Sequence, residues 1–387
     1  MNKKELELYI HIPFCVRKCS YCDFLSAPAT EQTREAYMAA LFAEIGGRAK
    51  DYSDRTGPSI FIGGGTPSLL SGEQIGQLMD RIREQFAMAQ DAEITMEVNP
   101  GTASAEKLRN FYTAGINRLS IGMQSAQAEE LKNLGRIHDF EGFCQVYREA
   151  VEAGFTNINV DIMSGLPGQT LASYRDTLEK VLHLEPMPQH ISAYSLIVEE
   201  GTPFAAMAER GELPLPEEET ERAMYEETIE VLAKYGFHRY EISNYARDGY
   251  ECRHNVGYWI RRDYLGFGIG AASLIDNVRF QNEKSLGTYL AHPLESREEE
   301  QTLTVQDRME ETMFLGLRLT RGVSCVDFAE QYGRTVEEVY GEVIARNVAD
   351  GLLTVTERKE NQKKDRFLAL TKRGLDLSNY VMAQFLF

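Results

Sequence analysis

Cys15, Cys19 and Cys22 fall within eight positions of one another, in the string Ile10-His11-Ile12-Pro13-Phe14-Cys15-Val16-Arg17-Lys18-Cys19-Ser20-Tyr21-Cys22-Asp23-Phe24. Thiolates this close on a loop can wrap one inorganic centre, because a tight turn aims their sulfurs inward. Four cysteines would close a zinc or iron–sulfur site. Three leave one coordination position free, which a metal centre needs in order to hold a ligand or do chemistry. The plain alternative is a chance group of buried thiols, since cysteine is a common core residue. The CxxxCxxC spacing with a flanking aromatic favours the metal site.

Two further strings have chemical potential. Gly63-Gly64-Gly65-Thr66-Pro67 ends an apolar run with no side chains to obstruct its backbone, so its carbonyls can approach an ammonium group closely. It lacks the Lys-Ser/Thr of a phosphate loop and the GxGxxG spacing of a dinucleotide fold. Arg253-His254-Asn255-Val256-Gly257-Tyr258-Trp259 contains the only tryptophan. Histidine beside flat rings suits a packed structural corner. Imidazole is also a usual axial ligand of heme iron, and apolar rings suit a porphyrin face.

Strand-like and helical runs alternate through the first 200 residues and must position these groups. Leu6, Leu8, Ile10 and Ile12 alternate with Tyr9 and His11 on the other face of a first strand. A helix follows over 31–50, then a strand at 59–62 running into the glycines, and a helix over 72–86. The third strand, 93–99, sets Ile94, Met96 and Val98 against Thr95, Glu97 and Asn99. A helix over 104–114 stops at Gly115. Strands at 117–124 and 157–162 repeat the pattern, with Gln124 and Asp161 on their polar faces. A helix through Tyr174 and Leu182 leads to a sixth strand at 190–198. Six βα units in series imply a parallel sheet. Fully buried parallel strands should read as continuous apolar runs, whereas these keep a polar face suited to a barrel wall that lines a ligand cavity. Reacting groups in such barrels lie at the C-terminal strand ends, where the cysteines, the glycines and Asp161 fall.

Residues 200–216 read as a glycine- and proline-punctuated connection and 217–235 as an acidic, solvated helix. Residues 295–301 read as a charged linker. From Val305 the pattern becomes two or three helices, then a hairpin at 352–356 and 366–370, and a last helix. That order resembles a winged-helix module, without the basic recognition face that DNA binding needs.

The 387 residues suffice for one large domain and a smaller one. The net charge of −18 argues against nucleic acid and against simple attraction to anionic lipid. No apolar run approaches the roughly 20 residues that span a bilayer. Six cysteines, three of them crowded together, favour metal binding over a disulfide framework. The N-terminal residues read as the start of a strand and not as a signal peptide, and the chain is expected to be cytoplasmic.

CxxxCxxC after a first strand resembles the radical SAM superfamily. The wording Tyr9-Ile-His-Ile-Pro-Phe-Cys is similar to the oxygen-independent coproporphyrinogen III oxidase (HemN) group and its heme-chaperone branch, HemW, over nearly the whole chain. The resemblance implies an α/β fold, a partial (βα)6 barrel with a small C-terminal winged-helix-like α+β domain. It implies a [4Fe-4S] cluster on Cys15, Cys19 and Cys22, with S-adenosylmethionine on the fourth iron. Gly64, Gly65 and Thr66 would hold the methionyl amino group. Glu97, Gln124, Arg136 and Asp161 would surround S-adenosylmethionine, with Tyr9 and Tyr21 beside the cluster and adenosyl portion. Carboxylates suit a ribose diol or an ammonium, and an arginine suits a carboxylate. HNxxYW resembles a string linked to heme binding in the HemW branch, which makes His254 a heme-ligand candidate and Cys252 the alternative.

Two departures bear on the branch. The oxidases carry CxxxCxxCxC, whereas this chain has Phe24 at the last position, and they have an extension ahead of the first strand, whereas this chain begins almost at it. The resemblance therefore implies a chaperone that binds heme and passes it to apo-cytochromes or other heme acceptors, with peripheral contact at the cytoplasmic membrane face. Its alternative is oxidative decarboxylation of coproporphyrinogen III. An electron donor such as a flavodoxin or ferredoxin would serve either. Three segments are expected: 1–216 for the barrel, 217–298 for an extension with the HNxxYW string, and 299–387 for the C-terminal domain.

Overall fold

The computed structural model describes residues 4–295, 297–360 and 363–386. A two-residue strand, β1 (Lys4–Glu5), precedes β2 (Glu7–Ile12), β3 (Arg55–Gly64), β4 (Met88–Val98), β5 (Arg118–Gln124), β6 (Ile158–Ser164) and β7 (His190–Ser195). Strands β2 to β7 lie side by side in chain order and all pair in parallel. The helices between them start where the sequence supplies a cap. Thr30, Ser71, Ser104, Asp139 and Thr170 each accept a backbone N–H of the first turn of the helix that follows, satisfying donors that the helix itself cannot.

Alternation along the strands explains the barrel. Leu8, Ile10, Ile60, Ile62, Met96 and Val160 are buried under the helices in one continuous core. The opposite faces are buried too, but polar: Glu7, Ser59, Glu93, Arg118, Asn159 and His190 are all shielded from solvent. A polar face buried in this way is what the inner wall of a partial barrel presents.

The sheet does not close. β8 (His238–Arg239) and β9 (Asn244–Ala246) extend it antiparallel beyond β7. β10 (Tyr264–Phe267) pairs in parallel with β2, and β11 (Ala272–Ile275), β12 (Val278–Asn282) and β13 (Arg297–Thr302) follow as an antiparallel meander. Residues 295–301, read as a linker, are thus largely β13, apart from Glu295 and from Ser296, which lies outside the described residues. The strand is exposed along its whole length and carries charges, which are the marks of a protected sheet edge and also of a linker. The connection at 200–216 contains the helix Pro203–Glu209, with Thr202 as its cap and proline at its first position. β4 starts five residues earlier than the alternation suggests, and β7 stops at Ser195 rather than at 198. The acidic helix Glu218–Lys234 is not wholly solvated, since it buries Met224, Thr228 and Leu232.

The C-terminal part has a core of its own around Met313, Phe328, Tyr340, Leu368 and Phe385. Helices Val305–Gly316, Cys325–Tyr332 and Val336–Ala349 pack with a three-stranded sheet of β14 (Val323–Ser324), β15 (Leu353–Glu360) and β16 (Lys363–Leu370), in the order β14-β16-β15. This is the winged-helix-like arrangement. Among the described residues, no helix is long and apolar enough to cross a membrane.

Candidate functional site

The C-terminal ends of the parallel strands surround a cavity of about 300 Å³. Cys15, Cys19, Cys22 and Tyr21 line it, together with Gly64, Gly65, Thr66, Glu97, Gln124, Arg136 and Asp161 among others. The cysteine loop has no secondary structure of its own, so the barrel holds it. Ser20 N–H donates to Leu134 O at 3.0 Å, Phe204 N–H donates to Ser20 O at 3.1 Å, and Cys15 N–H donates to Ala27 O at 3.2 Å. Arg17 reaches Gly135 O at 2.7 Å.

The glycines earn their place by proximity. Gly64 has φ +108°, and a Cβ there would come within 2.5 Å of the His11 ring. A Cβ on Gly65 would meet the backbone oxygens of Phe14 at 2.8 Å and Ile12 at 2.9 Å. Only glycine lets β3 end flat against the start of the cysteine loop. Thr66 then sets its hydroxyl 3.4 Å from Cys15 Sγ.

All three thiols are free and partly accessible. Among the described residues, no group of three His, Cys, Asp or Glu side chains converges on a point suited to one metal ion. Three thiols on one wall of the cavity are a donor set for a cluster in which each sulfur takes a different iron and one iron is left free. The donor set therefore fits the implied cluster.

The opposite wall fits a small zwitterion. Burial, reinforced by the carboxyl of Asp161, raises Glu97 to about 8, against the pull of the Gly64 N–H that it accepts at 3.0 Å. Burial also raises Asp161, although Asn159 donates to it at 2.7 Å. Arg136 donates to Gly122 O at 2.7 Å, and its buried Nε has no hydrogen-bond partner among the described residues. Two proton-hungry carboxyls and an under-used guanidinium face one cavity, and a ligand with an ammonium, hydroxyls and a carboxylate would satisfy all three. Gln124 sits at a register shift of the β5–β6 ladder with φ +70°, and its Oε1 accepts from Tyr194 at 2.9 Å. Strain at a non-glycine residue in a cavity wall is typical of ligand sites.

Glu97 yields a pH signature. Its folded value lies above its ordinary one, so its contribution to stability is complete below the ordinary carboxylate range and is lost as pH rises through about 8. A cationic ligand needs the carboxylate. For S-adenosylmethionine, the ligand that the resemblance implies, affinity is expected to rise about tenfold between pH 7 and pH 9, beyond the change seen in Glu97→Gln. Calorimetric titration of both proteins checks this, and parallel pH profiles would refute it.

Tyr9 and His254 lie outside this cavity. Tyr9 lines a neighbouring cavity of about 540 Å³, which shares Gly64, Glu97 and Phe24 with the first. It stacks on Phe61, 6.4 Å between ring centres. His254 is buried in the helix Arg253–Trp259, its Nδ1 2.9 Å from Ser59 Oγ and its Nε2 3.0 Å from Tyr258 Oη. Burial, with help from Arg262 and Arg118, lowers it to about 3 and keeps it neutral. Neither ring nitrogen is open to an iron as the side chain stands. Cys252 is fully buried as well, and burial pushes its thiol up to about 12. Glu93 accepts the N–H groups of Arg253 at 3.0 Å and His254 at 3.2 Å, anchoring the helix start to the barrel interior.

Sequence reasoning passed over Arg118, Ser120 and Tyr194. Arg118 is 2% exposed, with Glu93 and Asp161 among the charges that raise its guanidinium. The available signal was an arginine opening a strand that is otherwise apolar or small, Arg118-Leu-Ser-Ile-Gly-Met.

Comparison with known proteins matches residues 9–181 to the radical SAM superfamily model and residues 303–377 to the HemN C-terminal domain. The chain is 38% identical to the heme chaperone HemW of Bacillus subtilis, covering 98% of both chains. It is 36% identical to the heme chaperone HemW of Lactococcus lactis subsp. lactis, covering 100% of this chain and 98% of that one. The structure of coproporphyrinogen III oxidase (HemN) from Escherichia coli, described as a radical SAM enzyme, superposes with a TM-score of 0.84 at 27% identity, covering 99% of this chain and 90% of that one.

Proposed function

Because the chain belongs to the radical SAM superfamily, in its HemN/HemW group, we propose that it is a HemW-like heme chaperone. In this reading it binds a [4Fe-4S] cluster, S-adenosylmethionine and heme, and passes heme to an apo-cytochrome or another acceptor at the cytoplasmic membrane face. The observation that carries the reading is identity of 36–38% along essentially the whole length of proteins named for that activity. Three segments would divide the work: the barrel, 1–216, would hold the cluster, the extension, 217–298, would carry the HNxxYW string, and 299–387 would be the C-terminal module.

Cys15, Cys19 and Cys22 would hold the cluster, which supplies one-electron reducing power when bound. Gly64, Gly65 and Thr66 would receive the ammonium of S-adenosylmethionine, Glu97 and Asp161 its cationic and hydroxyl groups, and Arg136 its carboxylate. Tyr21 and Gln124 would close the sides. His254 would act on heme through Tyr258, whose hydroxyl it holds, since both of its own nitrogens are engaged. Electrons would come from a flavodoxin or ferredoxin.

The close superposition on HemN favours one rival, oxidative decarboxylation of coproporphyrinogen III. Phe24, where the oxidases have cysteine, weighs against it. Anaerobically reconstituted protein is expected to give a Soret band on titration with heme and to form no protoporphyrinogen IX from coproporphyrinogen III. His254→Ala is expected to shift that band and weaken binding about tenfold, the worth of one strong hydrogen bond. Protoporphyrinogen IX formed together with 5′-deoxyadenosine, or no heme uptake, would overturn the reading.

A further inference from the structure

We propose that the cavity of about 540 Å³ beside the cysteine site is the tetrapyrrole pocket, and that Arg261 and Arg279 grip the ligand's carboxylates. The assignment rests on the heme reading above and adds to it where the ligand sits and what recognises it.

Arg261 lies just past the helix Arg253–Trp259, with its side chain 4% exposed. Its Nε donates to Glu311 at 2.8 Å, and Arg279 contacts the other oxygen of the same carboxylate at 2.7 Å. Two guanidinium groups thus share a single counter-charge. Arg261 Nη2 is buried and has no hydrogen-bond partner among the described residues. A buried, unpaired N–H on a cation is costly to maintain and is a reason to expect a missing acceptor. The residue is held in a left-handed conformation, φ +56°, which a non-glycine residue adopts at some cost. The planar fork of a guanidinium matches a carboxylate in particular.

The rest of the wall specifies what carries that carboxylate. Tyr9, Phe61, Tyr258, Trp259 and Tyr264 face the cavity. Tyr9 stacks on Phe61, and Tyr258 meets Tyr264 edge to face with 4.7 Å between ring centres. Flat apolar rings with a pair of cations at one end suit a rigid aromatic plate with acidic groups on one edge. A general attraction of anions is not the explanation, because the whole chain carries −18. The pocket also draws the HNxxYW string into the site by its last two residues, Tyr258 and Trp259, while His254 stays behind them. Phe24 spans the lip between this cavity and the cysteine site and is 58% exposed.

The test compares hemin with hemin dimethyl ester, which keeps the macrocycle and loses both negative charges. The reconstituted full-length protein is expected to bind hemin at least about tenfold more tightly than the ester. Arg261→Gln and Arg279→Gln should each reduce that preference. Glu311→Gln frees both guanidinium groups and should tighten hemin while leaving the ester unchanged; a merely structural role for these residues would loosen both. Circular dichroism and melting curves confirm that each variant is folded. Equal affinity of the unaltered protein for hemin and ester, or weaker hemin binding by folded Glu311→Gln, would overturn the assignment and leave the heme reading standing. Failure of the unaltered protein to take up either ligand would overturn both.

Discussion

Replacing Cys15, Cys19 and Cys22 together with alanine is expected to strip the chain of iron and sulfide while leaving it folded. The three thiols lie on a loop fixed by backbone bonds, to the barrel from Ser20 to Leu134 and within the loop from Cys15 to Ala27. None of those bonds uses a cysteine side chain. The side chains are partly accessible and unbridged, so truncation should cost less than about 1 kcal/mol of stability in the metal-free chain. Binding of S-adenosylmethionine should fall at least a hundredfold, because the implied position for its amino and carboxylate groups disappears with the cluster. Iron analysis, a melting curve and titration report the three parts separately. A variant that keeps its iron would show that the metal sits elsewhere.

Arg118→Met should have the second large effect, this time on the fold. The guanidinium is buried at the start of β5, inside the barrel, with Glu93 and Asp161 among its neighbouring charges. Burial alone would lower it, but those neighbours keep it charged. Removing it leaves Asp161 deeper in its own desolvation and takes the counter-charge from Glu93, which anchors the start of the HNxxYW helix. Leaving buried carboxyls without their nearby cation costs on the order of the 3–5 kcal/mol found when one side of a buried charge pair is removed. Denaturant unfolding of the metal-free protein is expected to show a loss of that size. A loss below about 1 kcal/mol would mean that water or a proton on Asp161 already compensates the charge.

The parallel strands were legible because their alternation is strict. Ile94, Met96 and Val98 against Thr95, Glu97 and Asn99 fixes both the strand and the side that faces a ligand. The same alternation carries Glu97 and Asp161 to one cavity. The glycine run and the cysteine spacing were equally plain, since few other structures need such residues so close together. The helix Phe140–Glu152 was passed over, although Phe143, Val146, Tyr147 and Ala150 form its buried face. β13 was read as a linker because a protected sheet edge and a solvated linker use the same charges. Arg118 was missed although the alternation sets it on the polar face with Ser120 and Gln124, because a charge at the head of a strand reads equally well as a solvated end. The second cavity was invisible for a different reason: its walls come from Tyr9, Phe61, Tyr258, Arg279 and Leu315. Contacts that distant in sequence leave no local pattern.

A cluster gripped by three cysteines, with one corner left for a small-molecule ligand, is the centre of this account. Mössbauer spectroscopy of anaerobic protein loaded with isotopically enriched iron tests it most directly. The account predicts a four-iron signal in which one iron, and only one, changes its environment when S-adenosylmethionine is added. A spectrum indifferent to S-adenosylmethionine, or protein that takes up zinc in place of iron at those cysteines, would contradict it.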